Sequence, residues 1–171
     1  MATKWNLDPT HSEVGFKVKH MMITNVSGNL GSFNVTAETD DDNFTNAKVK
    51  FTGDIKSITS GNVQRDQHLQ SADFFEADKF PEMTFESTSY ENGKLNGNLS
   101  IRGVSKPIAL DVDFGGVGKD PWGNTKAGFT ISGKINRKDF GLMWNAPLEA
   151  GGVLVSDDVR INSEIQLVKA Q

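Results

Sequence analysis

Cysteine is absent from the 171 residues. That excludes a disulfide scaffold, thiolate metal sites and a cysteine nucleophile, and it leaves the compartment open, because cytosolic and many periplasmic proteins alike do without it. An excess of one charge is missing too: 18 Lys plus Arg stand against 22 Asp plus Glu, a net charge of -4, with neither sign gathered into a tail. No nucleic-acid partner and no polybasic membrane patch are expected from such a balance. No run approaches the roughly 18 apolar residues of a spanning helix, so no integral membrane segment is expected. Behind the single positive charge of Met1-Ala2-Thr3-Lys4-Trp5 there is no apolar stretch of the secretory kind. The expectation is therefore a cytoplasmic protein, or a periplasmic one from which a signal peptide has been removed. The length suits one domain, 1–171, with a core of its own.

Reactive constellations are scarce as well. The three histidines, His11, His20 and His68, form neither an H-x-x-x-H nor an H-E-x-x-H spacing, so no metal and no cofactor are expected. A G-x-S-x-G nucleophile elbow is lacking, and Ser12 beside His11 is adjacency rather than a triad. Gly28-Asn29-Leu30-Gly31 and Gly115-Gly116-Val117-Gly118 are not followed by a helical pattern that would hold a phosphate, and read as turns or bulges. Asp40-Asp41-Asp42 lacks the alternating ligands of a calcium loop and reads as a solvated hairpin tip.

What the chain does have is a period of two. Val14, Phe16 and Val18 alternate with Glu13, Lys17 and Lys19, and the rhythm returns around 33–37, 47–55, 83–85, 95–101, 108–114, 127–135 and 159–167. Half-buried strands alternate in this way, and about eight are visible. Glu91-Asn92-Gly93 and the stretch from Gly103 to Pro107 are hairpin signals, so strands adjacent in sequence should pair antiparallel. Without partner helices, such a meander either closes into a barrel or folds as a sandwich, and the barrel is favoured because it removes exposed edges. One helix is predicted within Gly61–Phe75, capped by Ser60 or Asn62, with Val63, His68 or Leu69, and Ala72 at helical spacing. It would cross and plug a barrel opening. Arg137 to Gly152, holding Gly141, Trp144, Pro147 and Gly151-Gly152, reads as a structured loop.

Small residues interrupt the inward register at Gly53, Gly97 and Gly133, with Ser87 and Ser163 in comparable places. Two readings follow: missing side chains that align into an apolar tunnel, or glycines that permit the bends of barrel closure.

The ordered motifs Trp5-x-Leu7-Asp8-Pro9-x-His11-Ser12-x-Val14-x-Phe16-x-Val18-x-His20, Gly28, Phe33, Arg65-Asp66-x-His68-Leu69-x-Ser71-x-Asp73-Phe74-Phe75, Phe80-Pro81-x-Met83-x-Phe85-x-Ser87, Leu99-x-Ile101-x-Gly103 and Arg137-x-Asp139-Phe140-Gly141 span nearly the whole chain. In this the sequence resembles the YceI-like family of lipocalin-type, polyisoprenoid-binding proteins. The resemblance implies an all-β fold, an extended lipocalin-like antiparallel β-barrel holding a long-chain isoprenoid (a quinone or a prenyl phosphate) or a fatty acyl ligand. It implies storage or transport rather than catalysis, and homodimers occur among such proteins. Carried over, Phe16, Val18, Phe33, Phe51, Phe85, Leu99, Phe129 and Ile131 would line the pore. His20, Arg65 and Arg137 would sit near a headgroup, the alternative for the arginines being structural ion pairs, Arg65 with Asp66 and Arg137 with Asp139. The competing functional reading is an enzyme acting on such a lipid through His20 or His11 with Asp66 or Asp139 as carboxylate partner.

Overall fold

The period of two resolves into eleven strands: β1 (Thr3–Leu7), β2 (Glu13–His20), β3 (Thr24–Leu30), β4 (Phe33–Thr39), β5 (Lys48–Asp54), β6 (Ile58–Thr59), β7 (Glu82–Glu91), β8 (Lys94–Ile101), β9 (Val104–Lys119), β10 (Thr125–Asn136) and β11 (Val155–Lys169). They belong to a computed structural model that describes residues 2–21, 23–145 and 154–170. All pairings are antiparallel, in the order β1-β4-β5-β7-β8-β9-β10-β11-β2-β3-β6, and β1 also pairs with β11.

The barrel has eight staves, although more than eight strands are counted, because two staves are bent. β11 pairs with β1 near its C-terminal end (Leu7↔Leu167) and with β2 nearer its start (Val18↔Val159), so β1 and β2 are halves of one stave. A 3-10 turn over Pro9–His11 separates them. Their partners β4 and β3 form the adjacent bent stave (Asn6↔Thr36, Val14↔Leu30). The closed circuit then runs β5, β7, β8, β9, β10, β11 and back to β1. The short strands β1 and β6 and the largely polar β3 carry too few alternating apolar residues to announce themselves in sequence.

Turn chemistry fixes the register of the long hairpins. Asn92 and Gly93 take φ of 53° and 75°, the left-handed pair that a two-residue hairpin between β7 and β8 requires. Arg102 and Gly103 repeat this between β8 and β9, with φ of 52° and 74°. Gly116 has φ of 105°, and the β9–β10 register shifts between Gly128 and Phe129, so that glycine cluster is a bulge.

One end of the barrel is filled. Trp5, Val35, Ala37, Phe44, Ala47, Ala127, Phe129, Ile165 and Leu167 form a buried cluster there. Phe44 makes ring contacts with Trp5 and Phe129, each at 4.7 Å between centroids, and the buried Trp5 Nε1 donates to Thr39 Oγ1 at 3.0 Å. Phe44 comes from the acidic loop read as a solvated tip. The Asp41 carboxylate accepts from the Asn43 and Thr45 amides and from Thr45 Oγ1, and inside that knot Phe44 adopts φ of 61° and turns inward. These hydrogen bonds hold the Asp41 carboxyl below its usual range.

At the opposite end the chain between β6 and β7 forms α1 (Val63–Gln70), capped by Asn62, whose Oδ1 accepts from the Arg65 amide at 3.0 Å. Of the expected stripe, His68 and Leu69 face the cavity, but Val63 and Ala72 are exposed, and Ala72 lies beyond the end of the helix. Of the predicted loop from Arg137 to Gly152, Arg137–Phe140 is a 3-10 turn, while Pro147, Gly151 and Gly152 lie outside the described residues.

Candidate functional site: an apolar pore with a polar mouth

Between the filled end and α1 lies a cavity of about 350 Å³ on the barrel axis. Its foot is made by Val35, Phe51 and Ile165, which also pack on the Trp5 cluster. Its mouth carries His20, Arg65, His68 and Trp144. The lining on β2 runs from Val14 to His20, a climb of about 20 Å along the strand and roughly 15 Å along the axis of a tilted barrel. The volume falls at the lower end of ordinary ligand sites, room for one chain rather than a bulky ring system.

The wall is apolar because the alternation points one residue in two inward. Phe16, Val18, Phe51, Phe85, Leu99 and Ile131 line the cavity. Phe33 and Phe129 do not. The β9–β10 bulge beside Phe129 and the Phe44 loop place Phe129 in the filled end, stacked on Phe114 at 4.9 Å, and Phe33 packs beside Phe51 at the edge of the same cluster. Sequence reasoning missed Leu30, Ile58, Phe74, Phe75 and Trp144, which also line the pore. Most sit on β3, β6 or connecting loops, where there is no alternation to read.

The glycines do not work as missing teeth. A Cβ on Gly97 would lie 2.5 Å from the Phe85 ring, one on Gly133 2.6 Å from Leu110, and one on Gly28 2.3 Å from Phe16. Each glycine gives a large neighbour a place to lie flat against the wall rather than project to the axis. Space at the centre is made by side chains reclining over glycines, an arrangement that also shields the glycine backbone.

At the mouth the three expected polar residues separate. Arg137 is buried and donates to four backbone carbonyls: Ser156 at 2.9 Å, Leu142 at 2.6 Å, Trp144 at 2.8 Å and Val155 at 3.4 Å. Burial lowers its pKa and Asp157 opposes that, but a guanidinium stays charged. It clamps the start of β11 to the segment after the 3-10 turn, and Asp139 is exposed rather than paired with it, so that predicted ion pair does not form. Arg65 and Asp66 likewise do not pair with each other; both hold Ser60. Arg65 Nε donates to Ser60 Oγ at 2.8 Å and Nη2 to its carbonyl at 2.7 Å, while Asp66 accepts from the Ser60 amide at 2.8 Å and hydroxyl at 2.5 Å. His20, at the end of β2, lines the mouth, and its ring makes no hydrogen bond among the described residues.

The His–carboxylate pairs anticipated for catalysis are not assembled. His11 Nδ1 lies 2.9 Å from Asp8, in the bend between β1 and β2, and His68 Nε2 lies 2.9 Å from Asp73. His68 also packs edge-on against Phe74 and Trp144, at 5.0 and 4.7 Å. Among the described residues no three His, Cys, Asp or Glu side chains gather as metal ligands, and no helix is long and apolar enough to cross a membrane.

A closed eight-stave antiparallel barrel, filled at one end, hollow and apolar toward the other and crossed there by a short helix, defines a lipocalin-like barrel. The YceI-like domain profile matches residues 5–167, and the chain belongs to that family. A UPF0312 protein of Staphylococcus aureus strain N315 is 37% identical over 165 residues, covering 96% of each chain. A solved YceI protein of Campylobacter jejuni is 39% identical with a TM-score of 0.77, covering 96% of this chain and 97% of that one. A polyisoprenoid-binding domain from Saccharophagus degradans, implicated in plant cell wall breakdown, shares the fold, with a TM-score of 0.72 at 12% identity over 97% of this chain and 98% of that one.

Proposed function

We propose that this chain, acting as one domain, is a non-catalytic carrier or store that holds a single long-chain isoprenoid, such as a quinone or prenyl phosphate, or a related fatty acyl chain. The observation that carries the reading is the axial cavity with an almost wholly apolar wall and all its cationic groups at one end. Burying a hydrocarbon contributes about 0.8 kcal/mol per methylene. About fifteen would contribute roughly 12 kcal/mol, which offsets about 4 kcal/mol of association cost and leaves affinity near the micromolar range. The neighbour described as polyisoprenoid-binding supports the choice of ligand class.

Native mass spectrometry of protein from its own host, followed by organic extraction, tests the reading. One apolar molecule per chain is expected. An empty protein that also takes up no labelled prenyl alcohol or fatty acid would refute it. Arg65→Ala also loosens the Ser60 clasp, so binding of the prenyl alcohol should fall somewhat, but a prenyl phosphate should weaken roughly tenfold more, the scale of one charge-assisted hydrogen bond.

A further inference from the structure

Four of the six large hydrophobic side chains exposed among the described residues stand around the mouth: Ile23 at 75%, Val63 at 71%, Met143 at 58% and Met21 at 41%. Each is tied to the cavity wall. The Met21 amide donates to the carbonyl of the wall residue Leu154 at 2.8 Å, and the Ile23 amide to that of His20 at 3.2 Å. Met143 lies between the wall residues Leu142 and Trp144, and Val63 begins the helix that carries Arg65. The remaining two, Val117 and Trp122, belong to the β9–β10 hairpin at the filled end.

Behind this apolar rim the outer barrel face carries cations in register. Lys134 pairs across from Arg160, and Arg160 from Lys17, on β10, β11 and β2. Lys19 follows two residues nearer the mouth. Like charges directly opposite each other destabilise a sheet, so the row is a burden on folding. Lys134 is relieved by Asp158 at 3.7 Å, and Lys138 meets Asp157 at 3.4 Å; Lys17, Lys19 and Arg160 have no carboxylate in ion-pair range among the described residues. Apart from Asp157 and Asp158, the nearest carboxylates on β2 and β11 are Glu13 and the opposite Glu164, four residues further toward the filled end, about 13 Å away.

The geometry points to a docking surface for an anionic lipid bilayer, in which Met21, Ile23, Val63 and Met143 enter the interfacial layer and Lys17, Lys19 and Arg160 meet the headgroups. An apolar tip with a cationic belt is the arrangement that binds such a surface. The net charge of -4 repels the rest of the molecule from the same surface and so favours approach by the mouth. A second copy of this chain suits the face less well, since two-fold packing would set one cationic row against another. The docking claim stands on the rim and the row; it rests on the carrier reading only for what would pass between bilayer and cavity.

Co-sedimentation with vesicles of phosphatidylglycerol mixed into phosphatidylcholine, beside vesicles of phosphatidylcholine alone, tests it, with uptake of a fluorescent fatty acid measured in parallel. The chain should bind the anionic vesicles, and salt should release it. Ile23→Ser should lower affinity on the order of tenfold, and Lys17→Ser with Arg160→Ser roughly fivefold per cation removed. All of these side chains are exposed and off the cavity wall, so fatty-acid uptake and melting temperature should not move. Equal binding to both vesicle types, no binding, variants that sediment like the parent, or a dimer dissolved by Ile23→Ser in place of vesicle binding would each overturn the proposal. Fatty-acid uptake without vesicle binding overturns docking alone; vesicle binding without uptake overturns the carrier reading alone.

Discussion

Asp8 sits where the first stave bends, and its carboxylate gathers the bend around itself. Burial by itself would push the carboxyl up. Hydrogen bonds from Lys126, Thr10 and His11, with the Lys126 charge, outweigh burial and hold it well below the usual carboxylate range. A carboxyl lowered on folding stabilises the native state above its unfolded pKa, near 3.9, and loses that contribution as pH falls toward the folded value. Asp8→Asn should therefore lower stability at pH 7 by about 2 kcal/mol, and the deficit should shrink below about pH 4; urea titrations of both proteins at the two pH values measure it. Gly133→Ala addresses the pore rather than the bend. The new Cβ meets only the end of the Leu110 side chain, which lines the cavity, so the leucine can give way toward the axis. Stability should fall by less than about 1.5 kcal/mol while uptake of a long-chain fatty acid drops severalfold, read by denaturation and by fluorescent displacement. That pairing of glycine with a reclining neighbour was only half legible in the sequence. The inward positions of Gly53, Gly97 and Gly133 could be read from the period, but which side chain lies over each depends on cross-strand register. Arg137 was harder still, because its partners are backbone carbonyls, which leave no mark on side-chain identity.

At the scale of elements, α1 is the piece that the barrel holds least firmly. It has eight residues, none of them buried, far short of the roughly 12–15 that an isolated helix needs in water. Its anchors are the Asn62 cap, the Ser60 clasp made by Arg65 and Asp66, and the inward faces of His68 and Leu69. A helix so placed over a mouth opens locally without unfolding the staves. Asp66→Ala should raise amide exchange across Val63–Gln70 and speed release of a bound fatty acid at least severalfold, with a loss of global stability within about 1 kcal/mol. Hydrogen exchange and stopped-flow release measure the two effects. If release were unchanged while exchange rose, α1 would not be the barrier to exit. The helix was legible from its break in the period, and Asn62 as one of two candidate caps. Its facing was not, because Val63 looks like a core residue in sequence, yet it is exposed while His68 and Leu69 take the inward face.

The whole molecule is a tube with a floor, and alternation in the sequence announced the tube but not the floor. Phe44 lies in an acidic loop, and Trp5 on a strand too short to show a period; together with Phe129 they fill one end, and that filling decides how far a ligand can descend. The basic row on the outer face is another product of the whole fold, since Lys17, Lys134 and Arg160 are scattered in sequence and meet only through register. Phe51 stands at the boundary: it lines the cavity and also packs on the filled end. Removing its ring should extend the pore downward rather than widen the mouth. Phe51→Ala is expected to cost roughly 3 kcal/mol in stability, the range of a phenylalanine lost from a core that does not collapse. It should also move the preferred chain in a series of fatty acids of increasing length toward the longer members, while the affinity for the shortest falls. Competition against one fluorescent probe across that series measures the shift. An unchanged order of preference would mean that the floor does not set ligand length, and that selection is made at the mouth, where His20 and Arg65 stand.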